Sequence, residues 1–199
     1  VTSLSETLLA LPGAENEEMK QGLETIHSTG KGLINFVMSY RKLTRLPSPE
    51  PSLFYVRPFL ERMIRLAQHQ HPCPNITLSI LETREDLIVI ADENLIAQVV
   101  TNLLKNAIQA IGNAPDGKIT LKAYCDPQES IRIEIANNGP AIPPDAAGQI
   151  FVPFFTTKEE GSGIGLSLSK QIMRLSGRTL TLLPYKEKGQ ATVFVLVFN

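Results

Sequence analysis

The sequence predicts an α+β fold: a two-layer α/β sandwich, helices on one sheet, preceded by an α-helical hairpin. Three observations carry that expectation. An apolar seam of heptad spacing fills residues 17 to 45, and prolines at 47, 49 and 51 separate it from the rest. Beyond them, runs of period-two apolar alternation come in pairs between runs of helical period. Paired strands between helices, never strict strand–helix–strand order, favour a sandwich over a doubly wound parallel sheet.

Taken in order, Leu4, Leu8 and Leu11 have helical spacing, and Pro12-Gly13-Ala14-Glu15-Asn16 breaks that pattern with Asn16 placed to cap the next helix. Met19, Leu23, Ile26, Gly30, Leu33, Val37 and Tyr40 then step alternately by four and three residues. Such a helix suits an antiparallel hairpin or a dimeric bundle; the plainer reading is an amphipathic helix packed on its own domain. Leu46-Pro47-Ser48-Pro49-Glu50-Pro51 cannot continue a helix, because proline removes donors and fixes φ. The expected division is therefore a helical hairpin over 1–46, a stiff proline linker over 47–52 and a larger domain over 53–199.

In that domain Val56 to Gln70 is helical by periodicity, and Ile76 to Leu81 and Leu87 to Ala91 read as strands around a Glu85-Asp86 turn. Asp92 caps a helix running to Ile111, with Leu95, Val99, Leu103, Ala107 and Ala110 on one face. Ile119 to Tyr124 and Ile131 to Ala136 alternate as a hairpin pair. Gly163 to Ser176 is the next helix, and Leu180 to Leu183 and Ala191 to Phe198 are closing strands.

Composition bounds the partners. A net charge of −1 gives no reason to expect nucleic acid or an anionic membrane. No apolar run approaches the ~18 residues of a span, so the chain as given is expected to be soluble. Cys73 and Cys125 lie far apart in no metal-ligand spacing and read as reduced thiols of a cytosolic protein. The chain starts at Val1, without Met and inside a helical pattern, which suggests a piece of something longer.

The chemistry concentrates in two places. Asn102 and Asn106, four apart, share a helix face beside Lys105. Asn106 offers a neutral oxygen to a hard cation, and Lys105 could meet phosphates; solvent-facing polar residues are the ordinary alternative. The second place is residues 137 to 166. Asn137 ends an alternating strand and carries an amide that can both donate to and accept from an adenine edge, or can simply satisfy its own turn. Gly161-Ser162-Gly163-Ile164-Gly165 opens a helix, where amides freed of Cβ bulk make a phosphate cradle. It has neither the Lys-Ser/Thr ending of a P-loop nor the setting of a dinucleotide fingerprint. Between the glycine turns lie Phe151, Phe154 and Phe155, core or lid aromatics by default, and the tip Thr156-Thr157-Lys158.

Order and spacing together bring out a resemblance. Asn102-x-x-x-Asn106 resembles the N box of sensor histidine kinases, Asn137-x-Gly139-x-Ala141 the first glycine box, Phe151 to Phe155 the F box and Gly161 to Leu166 the second glycine box. Thr192, after Gly189, stands where a late Gly-x-x-Thr completes the adenine side. The match covers residues 53 to 199, and its wording is nearest to nitrogen-regulation sensor kinases of the NtrY type. Residues 1 to 46 resemble the later part of their dimerisation hairpin.

The resemblance implies a Bergerat-type ATP-binding fold and a kinase moving the γ-phosphoryl of ATP to a histidine. Asn102 and Lys105 would be the catalytic pair. Asn106 would hold Mg²⁺, Lys105 and Lys158 would contact phosphates, and Asn137 and Thr192 would hold adenine. Gly139, Ala141, Ile142, Phe151, Gly161, Gly163, Ile164, Gly165 and Leu166 would complete the nucleotide site, with 140 to 161 as its lid. Implied partners are ATP, a dimerisation helix bearing the acceptor histidine, a response regulator and a second copy in the full-length protein. The implied location is the cytoplasm, with a membrane anchor possible elsewhere in the whole protein.

Two departures stand out. The family's first glycine box usually opens with Asp and reads Gly-x-Gly, where this chain has Asn137 and Ala141. An Asp accepts the adenine amine with a charge-assisted bond, about twice as strong as a neutral one, so weaker binding is expected. The acceptor histidine is also missing: His27 is followed by Ser-Thr-Gly, and His69 and His71 lie beyond the linker. The acceptor is expected upstream of Val1. Two other readings stay open. One is a hydrolytic ATPase of the same fold, which would want Glu where Asn102 stands; the other is a non-catalytic dimerisation or scaffold module with a degenerate pocket.

Overall fold

The computed structural model describes residues 17–81, 83–158, 161–183 and 192–199. The first-helix pattern of Leu4, Leu8 and Leu11, the Asn16 cap, Gly189 and Ala191 lie outside them. The chain divides into two units, the second beginning at Leu46. Within the first, α1 (Glu17–Thr44) is one continuous helix. Met19, Ile26, Leu33, Val37 and Tyr40 of its seam are exposed, as are Ile34, Phe36 and Met38 beside it. The hairpin expectation rests on its other arm, which falls among the residues not described.

In the second unit β1 (Ser52–Tyr55) leads into α2 (Val56–Gln70), followed by β2 (Ile76–Leu81), β3 (Ile88–Ala91) and α3 (Glu93–Ile111). Then come β4 (Gly117–Cys125), β5 (Ile131–Asn137), the single turn α4 (Pro144–Ala147), α5 (Gly165–Leu175), β6 (Thr179–Leu183) and β7 (Thr192–Phe198). The main sheet has the order β2-β4-β5-β7-β6, and β1 pairs with β3 in a separate two-stranded ribbon. Only the β2–β4 pair of the main sheet is parallel. A parallel pair requires a crossover, and β3 with α3 supplies it.

Period two decides which side of the sheet is dry. Ile119, Leu121 and Ala123 of β4 face the same way as Ile133 and Ile135 of β5 and Phe194 and Leu196 of β7, and all are buried. On the opposite face Lys122 stands across from Glu134, and Tyr124 across from Arg132. Helices α2, α3 and α5 cover the apolar face; α3 packs against α5, β4 and β5. α3 contributes Ile96, Val99, Val100, Leu103 and Leu104, none more than 1% exposed. The result is the two-layer sandwich that the paired-strand pattern predicts, its other face bearing those polar residues along β4 and β5 and Val193, Val195 and Val197 along β7.

Local signals fix the ends. Asp92 accepts from the backbone N–H of Asn94 (3.0 Å) and Leu95 (3.1 Å), the side-chain cap expected of it. Its other oxygen accepts from the N–H of Glu50 at 3.0 Å, so the last part of the proline segment is tied to the start of α3. These N–H groups, Glu50 first, hold the Asp92 carboxyl below the usual carboxylate range. α5 closes on a Schellman motif: Gly177, at φ +68°, donates to Arg174 O, and Arg178 donates to Met173 O.

Two pairings differ from the sequence reading. β2 and β3 do not pair across the Glu85-Asp86 turn; β2 joins β4 and β3 joins β1. Thr83 explains part of the divergence. It is buried, donates to Leu81 O (3.0 Å) and accepts the N–H of the fully buried Ala123 (3.1 Å), extending the β2–β4 edge by a side chain. Strand β1, only Ser52–Tyr55, hides behind the prolines, because just one of its residues, Phe54, is buried.

Candidate functional site

The candidate site forms where the end of β5, the helix α3 and the start of α5 converge. α3 carries Asn102 and, one turn on, Lys105 and Asn106, as their spacing demands. Asn102 turns toward α5: its Nδ2 donates to Ser169 Oγ at 3.0 Å. A Cβ on Gly165 would lie 2.2 Å from Asn102 Oδ1. Gly165 and Ser169, one turn apart, are thus the small residues that let α5 approach α3. Asn106 is half-buried, and its side chain has no hydrogen-bond partner among the described residues. An amide oxygen so placed fits a hard cation that takes one or two protein ligands and completes its shell with phosphates and water.

Two cations stand beside it. Lys158, at the tip of the segment between the glycine turns, donates from Nζ to Gln109 Oε1 at 2.7 Å. Burial, and then the neighbouring Lys105 ammonium, hold Lys158 below the ordinary lysine range. Like charges held close without an anion between them are a cost, and one that bound phosphate would relieve. Gln109 escaped the sequence reading; its one signal is its place a turn beyond Lys105 on the same helix.

The segment from Phe151 to Gly165 is built on a backbone clasp. Phe154 and Gly163 both have left-handed backbones, φ +68° and +65°, and Phe154 N–H donates to Gly163 O at 2.9 Å. A Cβ on Gly163 would lie 2.4 Å from the Phe154 carbonyl carbon, so glycine is required there. That clasp moves the start of α5 from the expected Gly163 to Gly165, with Ile164 as N-cap and no side chain capping the first turn. The free N–H groups there, in the turn holding Leu166, are positive in partial charge. Phe151 is anchored by an edge contact to Phe194 (6.4 Å between centroids) and by Lys170 Nζ 4.4 Å over its ring. Phe154 is 38% exposed. Gly161 lies against Thr156, where a Cβ would be 2.5 Å from Oγ1.

At the far side Asn137 ends β5 directly opposite Thr192 on β7. Asn137 is 5% and Thr192 7% exposed, and Asn137 Nδ2 has no partner among the described residues. A buried polar group left unpaired costs about 1–3 kcal/mol, which a base edge would recover. Gly139 brings the following turn against α3: a Cβ there would be 3.0 Å from Asn137 Nδ2 and 3.1 Å from the backbone of Ala110 and Ile111. Asn138 has a structural task, accepting from Lys118 N (2.7 Å) and donating to Asp116 O (2.9 Å). Ala141 is exposed and Ile142 half-buried in the turn before α4, and neither takes part in these contacts.

This arrangement of an unpaired buried amide, a helix with amide and ammonium groups, and a glycine-clasped segment opening a second helix belongs to a known class. The family model for the histidine kinase-, DNA gyrase B- and HSP90-like ATPases matches residues 91–199, and the chain belongs to that family. Within the family it is the ATP-binding catalytic module of a sensor histidine kinase. The solved catalytic domain of histidine kinase ThkA is similar over 75% of this chain and 95% of that one, with 32% identity and a TM-score of 0.64. ThkA in complex with response regulator protein TrrA matches 99% of this chain and 58% of that one, at 26% identity and a TM-score of 0.69. Among curated relatives, the C4-dicarboxylate transport sensor protein DctB of Rhizobium meliloti (strain 1021) is 42% identical over 83 residues, 42% of this chain. The sensory histidine kinase/phosphatase NtrB of the same organism is 39% identical over 100 residues, 43% of this chain. The chain spans 13% of the length of DctB and 26% of that of NtrB.

Proposed function

We propose that this chain binds Mg²⁺·ATP between α3, the clasped segment and the end of β5, and presents the γ-phosphate to a histidine that lies outside residues 1–199. The buried, unpaired amide of Asn137 opposite Thr192 is the observation that carries the reading. In it Asn137 and Thr192 take the adenine, while Lys105, Lys158 and the free amides at the start of α5 take the phosphates. Mg²⁺, held by Asn106, would supply neutralisation of the phosphate charge. Phosphoryl transfer of this kind is mostly positioning and charge neutralisation, so a site without a general base suffices. The acceptor nitrogen bonds to the γ-phosphorus, the bond to the bridging oxygen breaks, ADP leaves with the electron pair, and the imidazole proton passes to solvent.

Asn102, on α3, has no titratable group and so cannot serve water as a base, and ATP turnover should be very slow. Residues 1–46 serve as the later part of a dimerisation hairpin, 47–52 as linker, and the whole protein acts as a dimer at the cytoplasm, serving a response regulator as ThkA is paired with TrrA. The wording of the glycine motifs around Asn137 and Gly163 supports a place near the nitrogen-regulation sensor kinases of the NtrY type.

Calorimetry with Mg²⁺ and ATP tests the nucleotide reading. Saturable binding that weakens on chelating Mg²⁺ is expected; no detectable heat at millimolar ATP would overturn it and favour a scaffold module. Radiolabel from the γ-phosphate should reach a longer chain that includes the upstream histidine, and should not mark residues 1–199 alone.

A further inference from the structure

We propose that Asn137 leaves this site nearly indifferent to the group at position 6 of the purine, so that it accepts 6-oxopurine nucleoside triphosphates alongside ATP. The inference rests on the nucleotide reading above and deepens it. Among the described residues two buried side-chain nitrogens lack a partner, Asn137 Nδ2 and Arg178 Nε. Arg178 still donates through its other nitrogens, to Asn199 O and Ile90 O. Asn137 has no such outlet: its side chain joins no hydrogen bond with any described residue, though it is only 5% exposed.

The chemistry of an amide gives that orphan a particular meaning. An amide presents one donor and one acceptor side by side, and a half-turn about its last bond exchanges them. In one orientation Oδ1 accepts from a purine 6-amino group while Nδ2 donates to an unprotonated N1. In the other, Nδ2 donates to a 6-oxo group while Oδ1 accepts from N1–H. Each orientation makes two neutral bonds, so neither base is favoured by count or by charge.

Nothing described around Asn137 selects an orientation. Its neighbours in register are Ile119, which is apolar, and Thr192, whose hydroxyl can donate or accept. Gly139, close against Nδ2, brings no side chain. A carboxylate in the same place would make only one bond with either base, from the 6-amino group or from N1–H, and would set its other oxygen against the lone pairs of N1 or of the 6-oxo group.

Competition binding with the Mg²⁺ complexes of ATP and inosine triphosphate decides the matter, since inosine changes position 6 and N1 and adds no 2-amino group. Dissociation constants within about tenfold of each other are expected for the natural chain. Asn137→Ala, which has neither donor nor acceptor, should weaken both ligands together. An ATP preference above about 100-fold in the natural chain would overturn the inference while leaving the ATP site intact. Selective loss of ATP in Asn137→Ala would also overturn it. Binding of neither nucleotide would overturn the site itself.

Discussion

Replacing Gly163 by alanine should open the clasp without unfolding the domain. The added Cβ would lie 2.4, 2.6 and 2.7 Å from the carbonyl carbon, oxygen and Cα of Phe154, all backbone atoms that no rotamer change can move aside. At φ +65° an alanine adds about 1–2 kcal/mol of its own. Relieving the contact requires the Phe154 segment to withdraw by about 1 Å and gives up the bond from Phe154 N–H to Gly163 O, another ~0.5–1.5 kcal/mol. The total, about 1.5–3.5 kcal/mol, can be escaped by detaching residues 154 to 163 while the sheet and α2, α3 and α5 stay packed. Tenfold per 1.4 kcal/mol makes the detached form roughly ten to several hundred times more populated. Amide hydrogen exchange at Phe154 should accelerate by that factor, while the amide of buried Leu121 keeps its protection. Unchanged exchange at Phe154, or an equal loss of protection at both amides, would refute the reasoning.

Other perturbations have separate signatures. Asn106→Ala should remove the dependence of ATP affinity on Mg²⁺ and shift stability by no more than about 0.5 kcal/mol, since the amide has no protein partner among the described residues; titrations with and without chelator check it. Lys158→Ala should weaken ATP by roughly tenfold or more and leave adenosine binding little changed, as read by competition, because the ammonium is assigned to phosphate. Asp92→Ala should cost about 0.5–2 kcal/mol in urea unfolding. Its folded carboxyl is held low, so that contribution is full above the unfolded value near ~4 and is lost as pH falls through the folded one; the gap between variant and natural chain should close in acid. Thr83→Val strands the N–H of buried Ala123 and should lower the unfolding free energy by about 1–3 kcal/mol; an unchanged urea midpoint would show that N–H to be satisfied otherwise.

Much of this was legible in the sequence, for local reasons. Asp92 followed by a regular apolar face announces α3 at the position observed, and strict alternation around Asp126 to Ser130 announces β4 and β5 as partners. Strand partnership beyond the nearest neighbour was not legible, because nothing within Ile76–Leu81 records that its mate is about forty residues on rather than across the next turn. The same limit applies to the site. Asn102 and Asn106 declare a shared face by their spacing, but that Asn102 turns to Ser169 while Asn106 does not depends on how closely Gly165 lets two helices approach. Gly163 is periodic with the helix it precedes, so its left-handed backbone, and with it the true start of α5, shows only in three dimensions.

The carboxylate of Asp92 has a consequence for the order of assembly. Two of its bonds, to Asn94 and Leu95, are local and available to α3 as soon as one turn forms. The third, from Glu50, spans 42 residues and can form only after that stretch has closed on itself and Ser52 has come into register with Ala91. Bonds drawn from one carboxylate are not independent, so removing either kind changes what the other is worth. The helix that carries Asn102 and Asn106 can therefore begin early, but its start is complete only when the β1–β3 ribbon is in place. Closure of that ribbon is a non-local event, and its loop entropy falls on the folding rate rather than on the finished site.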